Sequence, residues 1–488
     1  MVRSTKHRST ILYLLFVCLG LFATFLLADL LWASSTSYIS TSSPHLKLAE
    51  DQLLLILLLL PIQSILYLGI TCKRFTSIFS QSDTLWESLC IRDWNFQDLG
   101  VAAAAADDDG GVSCSKFKKM YRRLHQLQSV SCRVLSLPDP DVYPGPRASH
   151  SLNFLSGSLL FLFGGGSDGG RHLDDTWIGY LSNDLKRILK WQLVNTGVPS
   201  GRFGHSCVVI CNHLILFGGI NDNGIRQNDT WVGEIALHET LGVTLSWRLL
   251  DLLSVAPPPR GAHAGCAVDK NRMLIHGGIG LSGLRLGDTW VLDIAENFAF
   301  GTWHEVVGHT LPVARSGHTL TYIGGTQTIL FGGRGLGYEV LNDVWLFDTS
   351  EGQLRWVQLL YELGNIPDGF SLPRVGHSAT LILGGRVLIH GGEDMFRRRK
   401  NDFWVLDITA RSIKMQSTSI SQRTGTHMWR RLKSDGFIPN CRSFHRACAD
   451  NSGRYLYIFG GMVDGLLQPA EAFGLRFDGE HFLVELVI

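Results

Sequence analysis

Six arginine-histidine pairs at one spacing are the residues whose types most suggest chemistry: Arg147/His150, Arg202/His205, Arg260/His263, Arg315/His318, Arg374/His377 and Arg442/His445. A ring of imidazoles would suit a metal, and a ring of guanidinium groups would suit an anion. Each pair, however, is followed by an apolar run, a Gly-Gly doublet, a polar loop, and then an acidic and an aromatic residue. An imidazole required in every copy is better explained by one structural hydrogen bond per copy than by a metal. Two shorter motifs spell catalytic signatures. Gly165 to Gly169 reads G-x-S-x-G, which needs a strand-to-helix elbow, and Gly278 to Gly283 reads G-x-G-x-x-G, which needs a helix N-terminus behind it. In both places the following residues predict another strand, so neither spelling carries its chemistry. The ten cysteines include no C-x-x-C and read as small buried hydrophobes of a reducing compartment. No metal and no cofactor is expected, and the chain reads as non-catalytic.

The spacing itself dictates the elements. The second glycines of the doublets are Gly165, Gly219, Gly278, Gly333, Gly392 and Gly461, and twelve residues after each comes Trp177, Trp231, Trp290, Trp345, Trp404 or, in the last copy, Phe473. Successive doublets lie 54 (Gly165 to Gly219) to 69 (Gly392 to Gly461) residues apart while this internal ruler stays fixed, so the length variation falls in loops. A period near 50 marks a radial repeat. Each unit reads as four short strands, in the second copy Ser206 to Ile210, Leu214 to Phe217, Thr230 to Ile235 and Trp247 to Leu250. Four-stranded blades around an axis hide the edges a lone sheet would expose. The tryptophan supplies an apolar plate for the wedge between blades. The expected fold is mainly β, a six-bladed propeller over residues 131–488. Cys132 to Leu137 and Phe482 to Ile488 both look like a fourth strand, and either could close the ring.

The texts LFGGINDNGIRQNDTW (Leu216 to Trp231) and ILFGGRGLGYEVLNDVW (Ile329 to Trp345) resemble kelch repeats. The tyrosine usual about six residues before the kelch tryptophan is absent; those slots hold Arg171, Ile225, Leu284, Glu339 and Arg398. Upstream, residues 46–95 resemble an F-box, a small all-α module, through Leu53, Ile56, Leu57, Leu60 and Pro61, then Ile65 and Leu68, Cys72, Lys73 and Phe75, and Leu85 and Trp86. Leu53, Ile56, Leu57 and Leu60 fall at i, i+3, i+4 and i+7 on one helix face, and Pro61 ends that helix. The whole chain is similar to plant-type F-box/kelch-repeat proteins. That resemblance implies a substrate-recognition adaptor of a Skp-cullin-F-box ubiquitin ligase. The F-box would dock a Skp-family adaptor and, through it, a cullin, by Leu53, Ile56, Leu57, Leu60, Pro61, Ile65, Leu68, Cys72, Lys73 and Trp86, while the propeller holds the target protein.

A formal net charge of +1 with 18% charged residues excludes a nucleic-acid binder by bulk charge. Residues 1–45 form an extension whose segment 11–32 contains an apolar run, Ile11 to Leu27, preceded by Arg3, Lys6 and Arg8, as in a signal anchor. Cytoplasm or nucleus is the compartment the F-box implies; membrane anchoring through 11–32, and with it a tethered kelch scaffold, is the alternative, and a propeller enzyme is a third. Asn228-Asp229-Thr230 is a glycosylation sequon, which would report on a luminal location. Residues 96–130 read as a linker, with the low-complexity run Ala102 to Gly111 and then a basic helix from Lys116 to Gln128.

In an up-and-down blade, the loop after Gly-Gly and the entry to the next unit open on one face. That face is expected to collect Arg202, Arg260, Arg315 and Arg374 from the repeat, with Arg171, Arg226, Arg285, Arg334, Arg397, Arg398 and Arg399 from the loops. Such a surface implies a protein partner with acidic or phosphorylated residues, gripped by arginine forks. The competing reading for the repeated arginines is architectural pairing with a neighbouring blade's aspartate, such as Asp229 or Asp288.

Overall fold

The computed structural model describes residues 50–60, 62–71, 73–94, 116–136, 139, 141–238, 242–350, 354–361, 372–408, 413–414, 422–425, 428–464 and 475–488. The apolar segment 11–32, the low-complexity run and Phe473 lie outside them. The chain divides into two compact units, 1–122 and 123–488.

The first unit is helical: α1 (Glu50–Leu59), α2 (Ile62–Thr71), α3 (Lys73–Gln81), α4 (Asp83–Trp94) and the start of α5 (Lys116–Gln126). Trp86 organises it. Its indole N–H donates to Phe79 O at 2.9 Å, and its ring stands edge-on to Phe79 and Tyr121 at 4.6 and 5.3 Å. Arg92 Nη1 donates to the Leu58 and Leu60 carbonyls at 2.7 and 2.9 Å, satisfying the end of α1. No described helix is long and apolar enough to cross a membrane.

The second unit is a six-bladed propeller. Blade one comprises Ser151–Leu155, Leu159–Phe163, Thr176–Leu181 and Ile188–Asn195. Blade two comprises Ser206–Ile210, His213–Phe217, Thr230–His238 and Gly242–Leu249, so its fourth strand starts earlier than expected. Blade three is Ala264–Ala267, Arg272–Gly280, Arg285–Ile294 and Phe300–Glu305. Blade four is Thr319–Gly324, Gln327–Phe331, Val344–Asp348 and Arg355–Tyr361. Blade five is Ser378–Ile382, Arg386–His390, Phe403–Leu406 and Trp429–Gly436. In blade six, Arg446–Ala449, Tyr455–Phe459 and His481–Leu486 are joined by an outer strand from far upstream, Ser129–Val134.

Both sequence stretches that looked like a closing strand therefore serve. The C-terminal one is the third strand of blade six, and the upstream one pairs antiparallel beside it, Val130 opposite Leu486. The twelve-residue ruler fails in this blade alone. Phe482, opposite Ile458, stands where Leu216 faces Trp231 in blade two, so an insertion has displaced the aromatic from Phe473.

Apolar cores lie between blades rather than within them. Blades two and three share Phe217, Val232, Met273 and Leu292, and blades six and one share Phe459, Leu483, Leu160 and Leu162. That explains why second strands such as Leu159–Phe163 are buried along their whole length. Each doublet ties its blade to the next arginine: Gly165 N donates to Arg202 O at 2.9 Å, Gly333 N to Arg374 O at 2.9 Å, and Gly461 N to Arg147 O at 2.8 Å, which closes the circle. Glycine is needed there. Gly165 has φ +103°, and a Cβ would lie 2.8 Å from Ala148 O.

Candidate functional site

The repeated arginines are buried, not displayed. Arg202 reaches Asp229 through Nη1 (2.7 Å) and Nη2 (3.0 Å) and also donates to the Gly218 and Ser200 carbonyls. Arg260 holds Asp288 at 2.8 and 2.7 Å, Arg315 holds Asp343 at 2.6 and 2.7 Å, and Arg374 holds Asp402 at 3.0 and 3.4 Å. Arg147 pairs with Asp175 in the same way, and Arg442 with Asp478 at 2.9 Å. All six guanidinium groups are buried. The expectation that Arg202, Arg260, Arg315 and Arg374 line a binding face is therefore corrected: their donors are spent inside the fold. The architectural reading holds, but each aspartate belongs to the arginine's own blade rather than to a neighbour.

The carboxylate also explains the recurrent tryptophan. Asp175, Asp229, Asp288, Asp343 and Asp402 accept the indole N–H two residues on, at 2.6–2.8 Å. Burial opposes the charge on Asp175 and Asp288, but the Arg147 and Arg260 guanidinium groups bonded to them hold both carboxyls below the usual range. A second tryptophan series, in the fourth strands, escaped the sequence reading. Trp191 and Trp247 lie over Gly179 and Gly233, where a Cβ would come within 2.9 Å of the ring. The pairing of a third-strand glycine with the next strand's tryptophan was the available signal.

Four of the six repeated histidines form the expected structural bond to a hydroxyl, and they do so between blades, whereas His318 meets His276 instead and His150 has no ring partner among the described residues. His205 Nε2 lies 3.2 Å from Ser151 Oγ, His263 Nε2 2.8 Å from Ser206 Oγ, His377 Nε2 2.9 Å from Thr319 Oγ1, and His445 Nε2 2.9 Å from Ser378 Oγ. Burial, and then the adjoining arginine, pushes these imidazoles down, to about 3 for His263, so they are neutral at physiological pH. The G-x-S-x-G stretch runs into a single 3-10 turn, Asp168–Gly170, and Gly278 to Gly283 falls in a hairpin between Arg272–Gly280 and Arg285–Ile294. Neither meets a helix N-terminus that would support its spelling.

The loop arginines separate into two groups. Arg399 donates to Ser443 Oγ at 3.2 Å, bonds Asp464 and lies 3.6 Å from Glu393, which also meets Arg334 at 3.3 Å. Lys400 pairs with Asp394 at 2.9 Å. These charges lace adjacent loops together. Arg226 turns back on the Gly224 carbonyl, and Arg285 reaches Ser316 Oγ while lying 4.5 Å over the Tyr338 ring. Arg171, Arg397 and Arg398 are exposed, and none has an ion-pair partner among the described residues. Phe396, exposed, lies under Arg398 at 5.4 Å.

In the helical unit the expected face is also redistributed. Leu53, Leu57, Ile65 and Trp86 are core, Ile56, Leu60 and Leu68 are half-buried, and the side chains of Pro61, Cys72 and Lys73 lie outside the described residues. The exposed apolar side chains are others: Leu55 (66%) and Leu59 (81%) on α1, with Tyr67 and Ile70 on α2.

Against known proteins, residues 110–333 and 236–424 match the KLHDC2/KLHL20/DRC7 Kelch-repeats domain. An F-box/kelch-repeat protein of Arabidopsis thaliana is 52% identical over 468 residues, covering 93% of this chain and 95% of that one. A putative adagio-like protein 2 of Oryza sativa subsp. japonica is 27% identical over 73% of this chain and 55% of its own length. Host cell factor 1 of Rattus norvegicus is 30% identical over 55% of this chain and 14% of its own.

Proposed function

Because the chain belongs to the plant F-box/kelch-repeat family, we propose that it is the substrate-recognition subunit of a Skp-cullin-F-box ubiquitin ligase. One observation carries this reading: a helical unit with F-box text presents bare leucines at i and i+4, Leu55 and Leu59, ahead of a propeller whose repeated charges are all consumed internally. Apolar side chains left in water on a small module suit a permanent partner. The adaptor is gripped by these leucines with Tyr67 and Ile70, while Leu53, Leu57, Ile65 and Trp86 hold the helices that display them. Chemistry is left to other subunits, and proximity raises the local concentration of target lysines at the transferring enzyme.

The target is taken on the loop face. Arg397 and Arg398 beside exposed Met395 and Phe396 offer cationic forks against an apolar platform, which suits a target segment carrying acidic or phosphorylated residues next to a hydrophobe. This role belongs to the cytoplasm or nucleus. The apolar run within 11–32 favours one second reading, a membrane-tethered kelch scaffold with no ligase partner.

Affinity purification of the full chain from plant extract tests the choice. A Skp-family adaptor and cullin are expected in the eluate, and the double variant Leu55→Asp/Leu59→Asp should lose both. Arg397→Ala/Arg398→Ala should keep the adaptor and lose target proteins. An eluate of the unaltered chain without adaptor sinks the ligase reading and leaves the scaffold.

A further inference from the structure

The six inner strands enclose a cavity of about 430 Å3, and among the residues that line it Arg446 is the one formally charged side chain. Arg446 opens the inner strand of blade six. The same position in the other blades holds Ser151, Ser206, Ala264, Thr319 and Ser378, small residues of which four carry the hydroxyl that meets the next blade's histidine. Where blade three lacks that hydroxyl, His318 Nε2 finds His276 Nδ1 at 3.0 Å instead. Blade six has no such substitute. Both ring nitrogens of buried His150 are without a hydrogen-bond partner among the described residues. Arg446 spends its Nε on the His150 carbonyl at 2.8 Å, and no ion pair among the described residues engages its guanidinium fork.

This is an unfavourable arrangement for folding alone. Burial pushes the Arg446 pKa down to about 10, so the group stays cationic at neutral pH, half-buried against the cavity with no carboxylate among the described residues to balance it. The lining histidines, held neutral by burial, add donors or acceptors but no charge. A serine here would have completed the ring of bonds. A departure from a repeated structural position that, unlike that of Ala264, is uncompensated and lines a cavity has the marks of a binding group.

We propose that the axial cavity is a binding site for a small oxyanion group, carboxylate or phosphate, held by the Arg446 fork. A planar fork with two parallel N–H groups matches either oxyanion bidentately. The volume accommodates a small organic acid, a phosphate or the anionic tip of a larger molecule. The site is independent of the ligase reading, since it requires the propeller alone.

Calorimetric titration of the full chain with sodium succinate and with inorganic phosphate tests the site, using sodium chloride at equal ionic strength as reference. Saturable binding of one or both is expected; succinate alone identifies a carboxylate ligand, and phosphate alone a phosphorylated one. Arg446→Gln, which keeps a donor for the His150 carbonyl, should weaken that binding about ten- to a hundredfold, the worth of hydrogen bonds to a charged group. Should that variant not fold, phenylglyoxal labelling of the unaltered chain replaces it, with slower modification of Arg446 expected in the presence of the anion. No binding beyond chloride, equal affinity in Arg446→Gln, or labelling indifferent to the anion overturns the proposal.

Discussion

Replacing Arg315 by methionine isolates the contribution of one repeat arginine. Methionine fills much of the same space but carries no donor, so four hydrogen bonds vanish: two to Asp343 at 2.6 and 2.7 Å, and one each to the Gly332 and Val313 carbonyls at 3.0 Å. Asp343 then keeps the Trp345 indole N–H at 2.7 Å as its side-chain partner, inside a blade whose arginine was buried. Removing one member of a buried pair costs about 3–5 kcal/mol. The partial exposure of Asp343, 21% of its side chain, lets water recover some of that and places the expectation near the lower end. Urea unfolding followed by tryptophan fluorescence gives the change in midpoint, and a constant slope confirms that the native state is unaltered. The double variant Arg315→Met/Asp343→Asn leaves no uncompensated charge and retains an acceptor for Trp345. It should be less destabilised than the sum of the two single variants by at least about 1.5 kcal/mol. Arg398→Met, on the exposed loop, should stay within about 0.5 kcal/mol of the parent. A loss below about 1 kcal/mol for Arg315→Met, the range of surface ion pairs, would refute the architectural role of the repeated arginine.

Three further outcomes follow from the same geometry. His263, His276, His390 and His481 are pushed by burial to about 3, below the usual histidine value near 6.5, so between those limits the unfolded chain binds more protons than the folded one. The contribution of these histidines to stability should therefore be fully present above about pH 7 and be lost as pH drops below about 6.5; urea midpoints equal at pH 7.5 and 5 would contradict this. Trp86→Ala removes the ring shared by α3, α4 and α5 and should destabilise the helical unit by about 3–5 kcal/mol while the propeller's near-ultraviolet dichroism persists; simultaneous loss of both signals would contradict it. The sequon is occupied within the fold: Asn228 Nδ2 donates to Pro257 O at 3.3 Å, Asp229 is bound by Arg202, and Thr230 Oγ1 accepts from Trp303. Chain expressed through a secretory pathway and recovered folded should carry no glycan there by intact mass.

What the sequence made legible was whatever recurs in register. The doublets, the arginines and the aspartate-tryptophan pairs lie at fixed separations within one blade, so a single chain read six times exposes them. What stayed hidden depends on separations that vary. The hydroxyl partner of each histidine sits in the preceding blade, 54 residues away for His205 and Ser151 but 67 for His445 and Ser378. The insertion before His481–Leu486 broke the ruler and moved the aromatic to Phe482. In α1 the run LLLILLLL offers no polar residue to mark the outer face, so helical spacing alone assigned Leu53 and Leu57, which turned inward, and passed over Leu55 and Leu59, which did not.

The division between these two kinds of position also divides structure from function. A charge present in every blade must have a partner in every blade, and Asp175, Asp229, Asp288, Asp343, Asp402 and Asp478 supply it, so repetition removes those arginines from recognition. A charge present in one blade has no such guarantee. Arg399 acquired Asp464 and Glu393 and became part of the scaffold, whereas Arg397, Arg398 and Arg446 have no ion-pair partner among the described residues. Two of those three lie on the loop face and one in the axial cavity. A ring built this way can alter its ligands at such positions while its six internal pairs, and hence its fold, stay the same.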